Sequence, residues 1–164
     1  MPTPCNLTIT GIPGGSEKDG REGSSDVFEI EHQVHQRTDA ATGMSSGSRV
    51  HAPMRVTKQI DKASPRLFEA LCRNENLEEV KLDFYRIDPE SRSEVKYYTI
   101  TMTNCRVSHF RPYMPVSFLP ANESFRHMEQ VSFIYEQIEL QWLPDNIVAI
   151  DMWRAAGEGA DRTR

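Results

Sequence analysis

The chain has 164 residues, 38% of them hydrophobic and 26% charged, which is typical of one soluble globular domain. Its formal net charge of -5 argues against a nucleic-acid partner, because phosphate-binding surfaces need clustered Lys and Arg. No apolar run approaches the roughly 20 residues of a transmembrane helix, which argues against membrane insertion.

The first part of the chain has the alternation of strands. A strand pattern over 5–10 is followed by a second over 26–36, in which Phe28 and Ile30 share one parity. Five glycines lie between positions 11 and 25, among few apolar residues. This composition predicts an exposed loop between the two strands.

A second loop is predicted over 37–48. This stretch holds two glycines, several Ser and Thr residues and almost no large apolar side chain. Loops of this length in compact domains are usually functional or mobile. Extended structure resumes over 50–60, where Pro53 indicates an edge, a bulge or a strand start because it cannot donate to a ladder.

A short helix is predicted over 64–74. Ser64 is suited to cap the free amides of a helix, and Pro65 has the φ of a first helical position. Leu67, Phe68 and a later leucine then fall on one face. The pattern therefore predicts two to three helical turns after the strand.

A hairpin is predicted after the helix. Alternation over 80–85 and 95–103 predicts its two strands, and the second strand continues over 106–110, past a bend at Asn104. The second strand has one polar face that we expect to meet solvent or another subunit, and its members are Thr99, Thr101 and Thr103.

The strongest β pattern lies over 128–140. Its apolar residues occur on both parities, which predicts a strand that is either bulged or buried on both faces. A last strand is predicted over 147–152.

We expect one domain over 1–154 and a flexible tail over 155–164. Many short strands and no βαβ rhythm predict a mostly β protein, an antiparallel barrel or sandwich.

The histidines and cysteines do not form a recognisable catalytic or metal motif. His32 and His35 are three residues apart, on opposite faces of a strand, which is unsuited to joint metal binding. The remaining histidines are isolated, and a surface or core-edge position is the favoured interpretation for His51, His109 and His127. Buried free thiols are favoured over a disulfide or metal role for Cys5, Cys72 and Cys105.

Motifs for nucleophilic and phosphate chemistry are absent as well. The sequence contains neither GxSxG nor GxxxxGK[ST]. Lys62 precedes the helix and is in principle an anion ligand there, but fixing the helix entry together with Asp61 is the favoured role. We therefore predict no catalytic residue, no metal and no cofactor.

One block, TGMSSGSRVHAPMRVTKQIDKASPRLFEAL over 42–71, closely resembles the diagnostic stretch of the haemolysin-coregulated protein (Hcp) family of type VI secretion. YYTITMTNCRVSHF and MEQVSFIYEQIEL extend the resemblance toward the C-terminus. The matching positions that we single out are Ser46, Gly47, Arg49, His51, Pro53, Thr57, Lys58, Asp61 and Lys62, with Ser64 and Pro65 at the helix start.

The resemblance implies a β-barrel of two sheets with one short helix, six copies of which form a ring. By the same resemblance, rings stack into a tube that a contractile sheath expels with its spike, and the lumen holds small effector proteins. The expected partners are therefore further copies of the chain, the sheath, baseplate and spike proteins, and the effectors. The motif residues are then expected at ring or stacking contacts, through a heterologous interface. The protein is expected to be non-enzymatic.

The resemblance also implies a location. The first fifteen residues lack the basic start and apolar core of a signal peptide, which predicts folding in the bacterial cytoplasm. Export to the extracellular space or a target cell is then expected through the type VI machine. Two alternatives stay open: a monomeric ligand-binding β-barrel, and a hydrolase that uses His51 or His109.

Overall fold

A computed structural model describes residues 4–153. The elements in this range are β1 (Cys5–Ile9), β2 (Ser25–Glu31), β3 (Val34–His35), β4 (Val50–His51), β5 (Met54–Gln59), α1 (Ser64–Cys72), β6 (Leu77–Ile87), β7 (Glu94–Tyr113), a short 3₁₀ helix (Pro120–Asn122), β8 (Met128–Ile134), β9 (Gln137–Trp142) and β10 (Ile147–Met152). Across the described range, no helix is long and apolar enough to cross a membrane. The predicted tail over 155–164 lies outside the described residues.

Six antiparallel strands close into a barrel in the order β1, β2, β5, β8, β7, β6 and back to β1. Closure pairs each of these strands on both sides, so the barrel itself has no free edge. β9 and β10 extend from the first half of β7, while β3 and β4 form a separate two-stranded sheet. The predicted antiparallel barrel with one short helix is confirmed.

β7 belongs to both parts of this sheet because it changes partner in its middle. Residues 98–103 pair with β9, and residues 106–113 pair with β8. Asn104 lies between them with φ 50°, in the left-handed region that Asn adopts more readily than most residues. The bend predicted at Asn104 is therefore confirmed, and it is the point where the β9–β10 extension leaves the barrel.

The barrel interior is filled by apolar side chains. The fully or almost fully buried members are Leu7, Met54, Val56, Val80, Leu82, Met102, Val131 and Phe133.

α1 packs against β7 and buries Leu67 and Ala70. Phe68, predicted on the same face as Leu67, is exposed and stacks on Phe110 of β7 with ring centroids 5.9 Å apart. Adjacent helical residues are about 100° apart, so only one of the two lies at the centre of the interface.

The glycine-rich segment over 11–24 is only in part the exposed loop that its composition predicts. Ile12, Arg21 and Ser24 are buried, and Arg21 lies flat over the Tyr85 ring at 3.6 Å. Arg21 also donates to Asn6 Oδ1 at 3.2 Å. This loop packs against the barrel through polar side chains that have specific hydrogen-bond partners. Its low content of apolar residues therefore gave no indication that it packs at all.

Two other patterns are explained by breaks in the strand register. The β2–β5 pairing skips Phe28 at a β-bulge, so this side chain is exposed although its parity predicted a shared face with Ile30. The segment over 128–142 is two strands, β8 and β9, so the change of parity within it marks a strand end. β8 is nevertheless buried on both faces along most of its length.

The threonine face of β7 is only partly accessible. Thr99 is buried and donates to Asp83 Oδ1 at 3.0 Å, whereas Thr101 and Thr103 are half-buried. The expectation that this whole face meets solvent or another subunit is therefore wrong for Thr99. A cross-strand hydrogen bond with Asp83 of β6 satisfies its hydroxyl instead.

Candidate functional site

The second half of the motif block contributes to a buried ionic network. Lys58 of β5 lies directly opposite Glu129 of β8, and both side chains are 0% exposed. The Lys58 Nζ is 2.6 Å from Glu129 Oε1 and 2.7 Å from Asp61 Oδ1. A buried ammonium is tolerated only when paired in this way. Lys58 therefore stabilises the inside of its own chain and has no surface for a ring contact, which corrects that expectation.

The same network fixes the start of α1. Ser64 donates from its hydroxyl to Glu129 Oε1 at 2.9 Å and accepts the Asp61 backbone N–H at 3.0 Å. Ala63 occupies the N-cap, and its N–H donates to Asp61 Oδ1 at 2.9 Å. Ser64 and Pro65 do begin the helix, but the predicted capping by Ser64 is wrong, since its hydroxyl is committed to Glu129 and to the chain before the helix.

Asp61 also ties the glycine-rich loop to the barrel. Its Oδ2 accepts the Ser25 hydroxyl at 2.6 Å and the Gly15 N–H at 3.0 Å. A side chain at Gly15 would meet the Asp61 Cβ at 2.9 Å, so this approach requires glycine. Burial alone would raise the pKa of Asp61, but hydrogen bonds from Lys58 and Ser25 outweigh it and lower the pKa. The predicted structural role of Asp61 fits these contacts, and Lys62 beside it is exposed.

A second polar cluster ties residues 32–53, here called the arm, to the barrel. We call this cluster the latch, and its members are His32, Arg49 and His51 of the arm, Tyr135 between β8 and β9, and Asp151 of β10. The Tyr135 hydroxyl lies 2.7 Å from His32 Nε2 and 2.7 Å from His51 Nδ1. His51 Nε2 lies 2.8 Å from Asp151 Oδ2, and Arg49 forms an ion pair with the same carboxylate.

The order carboxylate, imidazole, hydroxyl resembles a hydrolase relay, but the hydroxyl is unsuited to nucleophilic attack. Burial and the Asp151 charge raise the pKa of Tyr135 further above its ordinary value. Its hydroxyl is also engaged by two imidazoles. The His51 side chain is almost fully buried against Trp153, with ring centroids 5.7 Å apart. At His51, this geometry offers no activated nucleophile for a hydrolase, and the burial of His51 corrects the subunit contact expected there.

The other predicted site residues are distributed over the arm and its base. Ser46 and Gly47 are exposed at the far end of the arm, and Arg49 is half-buried in the latch. Pro53 lies in the break between β4 and β5, as its missing N–H predicts. Thr57 is buried and donates to Glu29 Oε2 at 3.1 Å, so it too bonds within its own chain rather than at a ring contact.

Two exposed apolar surfaces escaped the sequence reasoning. One is β10, whose outward residues on both faces are Ile147, Val148, Ile150 and Met152. The other is the connection over 114–127, here called the end loop, with exposed Met114, Val116, Phe118, Leu119 and Phe125. Phe118 is 84% exposed, an unusual state for a phenylalanine. The run IVAI in β10 is apolar at both odd and even positions, and this pattern could have revealed the apolar surface of β10 from the sequence.

Residues 4–153 contain no group of three or more His, Cys, Asp and Glu side chains arranged to hold a metal ion. In the two polar clusters, Glu129 and Asp151 are instead paired with Lys58 and Arg49, and His51 is paired with Tyr135. The two polar clusters thus fix the helix start and the arm, while the exposed apolar surfaces lie elsewhere.

Comparisons with known proteins agree with this architecture. The family model described as "Type VI secretion system effector, Hcp" matches residues 6–142. A Pseudomonas aeruginosa protein named "Major exported protein" is 31% identical, and the alignment covers 97% of this chain and 100% of that protein. The solved structure of Hcp1 from E. coli EAEC 042 is 31% identical with a TM-score of 0.80, covering 94% of this chain and 99% of that one. Hcp3 from Pseudomonas aeruginosa is 26% identical with a TM-score of 0.73, covering 94% and 100%.

Proposed function

The chain belongs to the Hcp family of type VI secretion system effectors, and on that premise we propose that it is a tube subunit and secreted carrier. Six copies form a ring, rings stack into a tube, and a contractile sheath expels the tube with the spike from its baseplate. The protein stays in the bacterial cytoplasm until firing and then reaches the extracellular space or a target cell. The name of the Pseudomonas aeruginosa relative supports export.

Lateral association within the ring is supported by β10. Its inner neighbour is β9, and its other edge has no partner strand among the described residues. An exposed edge strand offers unpaired N–H and C=O groups, and large apolar residues on both of its faces make isolation in water unfavourable. The single observation that carries the proposal is this two-sided apolar edge, because a second copy of the chain would cover it.

Stacking of rings is supported by the position of the arm and the end loop. The arm precedes Met54 at the start of β5, and the end loop precedes Met128 at the start of β8. β5 and β8 are antiparallel, with Met54 opposite Phe133 and Gln59 opposite Met128. The arm and the end loop therefore leave opposite ends of this strand pair, about 17 Å apart along it. We assign the arm tip, including Ser46 and Gly47, and the end loop to opposite faces of the ring.

The filled interior of the barrel is compatible with a carrier role without catalysis. The interior of each subunit holds packed side chains such as Val56, Leu82 and Phe133, all fully buried. This packing disfavours the alternative of a monomeric barrel that binds a ligand in a dry apolar interior. Small effector proteins are instead held in the lumen that six subunits enclose.

The proposal is tested by the molar mass of the purified chain, measured by light scattering on a sizing column, with negative-stain images of the same peak. We expect a mass of six chains and ring-shaped particles. Ile150→Glu on β10 should shift the peak to single chains, because a carboxylate would have to be desolvated in the contact. Ile87→Glu is the matched control, since Ile87 is 53% exposed and Ile150 is 57% exposed.

The control variant should keep the mass of six chains. Rings retained in Ile150→Glu would exclude β10 from the interface, and equal loss of rings in both variants would show that the effect is not specific to β10. A single-chain mass for the unaltered protein, even at high concentration, would contradict ring formation itself.

A further inference from the structure

The arm is held to the barrel by the latch and by little else. Positions 33–48 are exposed, so this part of the arm buries almost nothing against the body. In the part of the chain that the structure describes, the side-chain hydrogen bonds between arm and body all come from His32, Arg49 and His51. The orientation of this exposed element therefore depends on two titratable imidazoles together with the Arg49–Asp151 ion pair.

The two imidazoles share one hydroxyl, and this limits the protons that the latch can hold. A phenol donates one hydrogen bond, so with both rings neutral Tyr135 donates to one ring nitrogen and accepts from the other. With one ring protonated, that ring donates and the other still accepts. With both rings protonated, both must donate to the same oxygen, and the Tyr135 proton has no acceptor between them. Two cations then also face each other across one atom.

The surrounding charges do not offset a second proton. Asp151 carries the negative charge of the latch, and Arg49 already balances it. The elements packed against the latch add these titratable or charged neighbours: Cys105 and Arg106 on β7, Glu136 before β9, and the Glu31–Arg55 ion pair at the base of the arm. Arg106 and Glu136 are of opposite sign, as are Glu31 and Arg55. Double protonation therefore leaves the latch with excess positive charge.

We propose that the latch is an acid-sensitive switch, which holds the arm against the barrel while at least one of its two histidines is neutral and releases the arm when both are protonated. The consequence rests on the proposed function, which assigns the arm tip to the next ring in the stack. Acid then loosens contacts between rings while each barrel stays folded, because the Lys58 network inside the barrel contains no histidine.

The direction of the effect follows from the pKa of His32. Burial, and then the nearby His51, lower this pKa below its ordinary value of 6.5. A histidine whose pKa is lower in the docked arm favours docking in its neutral form. The docking free energy is therefore fully present above the ordinary pKa and decreases as the pH falls below it toward the lowered pKa. Asp151 remains ionised in this window, because the Arg49 hydrogen bond outweighs burial and lowers its pKa to about 2.

Trp153 is a built-in reporter of the latch. Its ring centroid lies 5.0 Å from that of Tyr135 and 5.7 Å from that of His51. The chain has two tryptophans, so in a Trp142→Phe background the fluorescence comes from Trp153 alone. We expect a reversible fluorescence step below about pH 6.5, together with faster hydrogen exchange of the arm amides. The rate of hydrogen exchange in the arm should rise roughly tenfold for each pH unit that separates the pKa of His32 in the docked arm from its pKa in the released arm.

His32→Gln keeps a hydrogen-bonding side chain and removes one titrating ring, so the step should disappear and the arm should stay protected in acid. His109→Gln alters an exposed histidine of β7 and should keep the step. No step in the parent, or an unchanged step in His32→Gln, would overturn the switch. Light scattering of the same samples separates the two proposals. If the fluorescence step occurs as expected but the chain never forms rings, the switch is supported. Only the proposed function is then refuted.

Discussion

The two halves of the 42–71 block are adjacent in sequence and built in opposite ways. Residues 42–48 are exposed, and their side-chain hydrogen bonds stay within the arm, as when Gln36 donates to Ser45 Oγ at 2.6 Å. Lys58 and Ser64, in the second half, both bond to Glu129 inside the barrel. Residues 42–48 are thus free to contact another molecule, whereas Lys58 and Ser64 are fully used within their own chain.

This difference shows that residues which identify a family can be buried and paired inside their own chain. The second half of the block stabilises the junction of β5, β8 and the helix start, where polar groups must be paired because they are buried. The exposed surfaces that we propose for assembly are the arm tip, β10 and the end loop. Two of these three contain none of the motif residues.

The largest expected effect comes from reversing the charge of Lys58. Lys58→Glu would place a third carboxylate beside Asp61 and Glu129, in a site without solvent. Leaving a buried charge without its partner costs about 3–5 kcal/mol, and we expect at least this loss in the free energy of unfolding, measured by urea titration. The variant should fail by unfolding rather than by forming a stable chain that lacks rings.

Lys62→Glu is the matched control, since the same charge change occurs four positions later at an exposed site. Its free energy of unfolding should change by no more than about 0.5 kcal/mol. A Lys58→Glu chain with unaltered stability and lost rings would show that Lys58 acts at an interface, contrary to its buried position.

The smallest expected effect on stability comes from the first half of the block. Deletion of residues 43–47 shortens the arm tip, which is exposed and bonds only to other arm residues. We expect the urea midpoint to change by the equivalent of about 0.5 kcal/mol or less, with rings kept and stacks lost in negative-stain images. A large fall in the midpoint would mean that the arm tip contributes to the fold, and unaltered stacks would remove it from the ring face.

The sequence predicted the elements that depend on local pattern. Alternation located most of the strands, although the predicted strands over 26–36 and 50–60 are each two strands in the structure. Pro65 located the helix start, and the long loop around Ser46 was predicted from its lack of apolar side chains. The resemblance through the 42–71 block identified the family. These features were readable because each depends on residues close together in the chain.

The role of individual motif residues was not predictable in this way, because their partners are distant in sequence. Lys58 finds Glu129 on a strand that begins after the end loop, and His51 finds Tyr135 at a separation of 84 positions. A lysine at an inward strand position gives no local sign of its partner. The exposure of Phe28 was not predictable either, because the bulge is a feature of the pairing of β2 with β5. A one-residue change of register moves a side chain to the other face of the strand.

The most direct test of the tube assignment is disulfide trapping between opposite ends of the barrel. Met44→Cys in the arm tip and Phe118→Cys in the end loop are combined with Cys72→Ser. The prediction that Cys72 is buried is wrong, and it is the exposed native thiol among the described residues. Each chain then carries one cysteine for each face of the ring, and Ser91→Cys in an exposed turn replaces Phe118→Cys in the control. On a denaturing gel after mild oxidation, head-to-tail stacking predicts a ladder of multimers that is absent from the control. Single chains alone, or the same ladder in both proteins, would contradict the assignment.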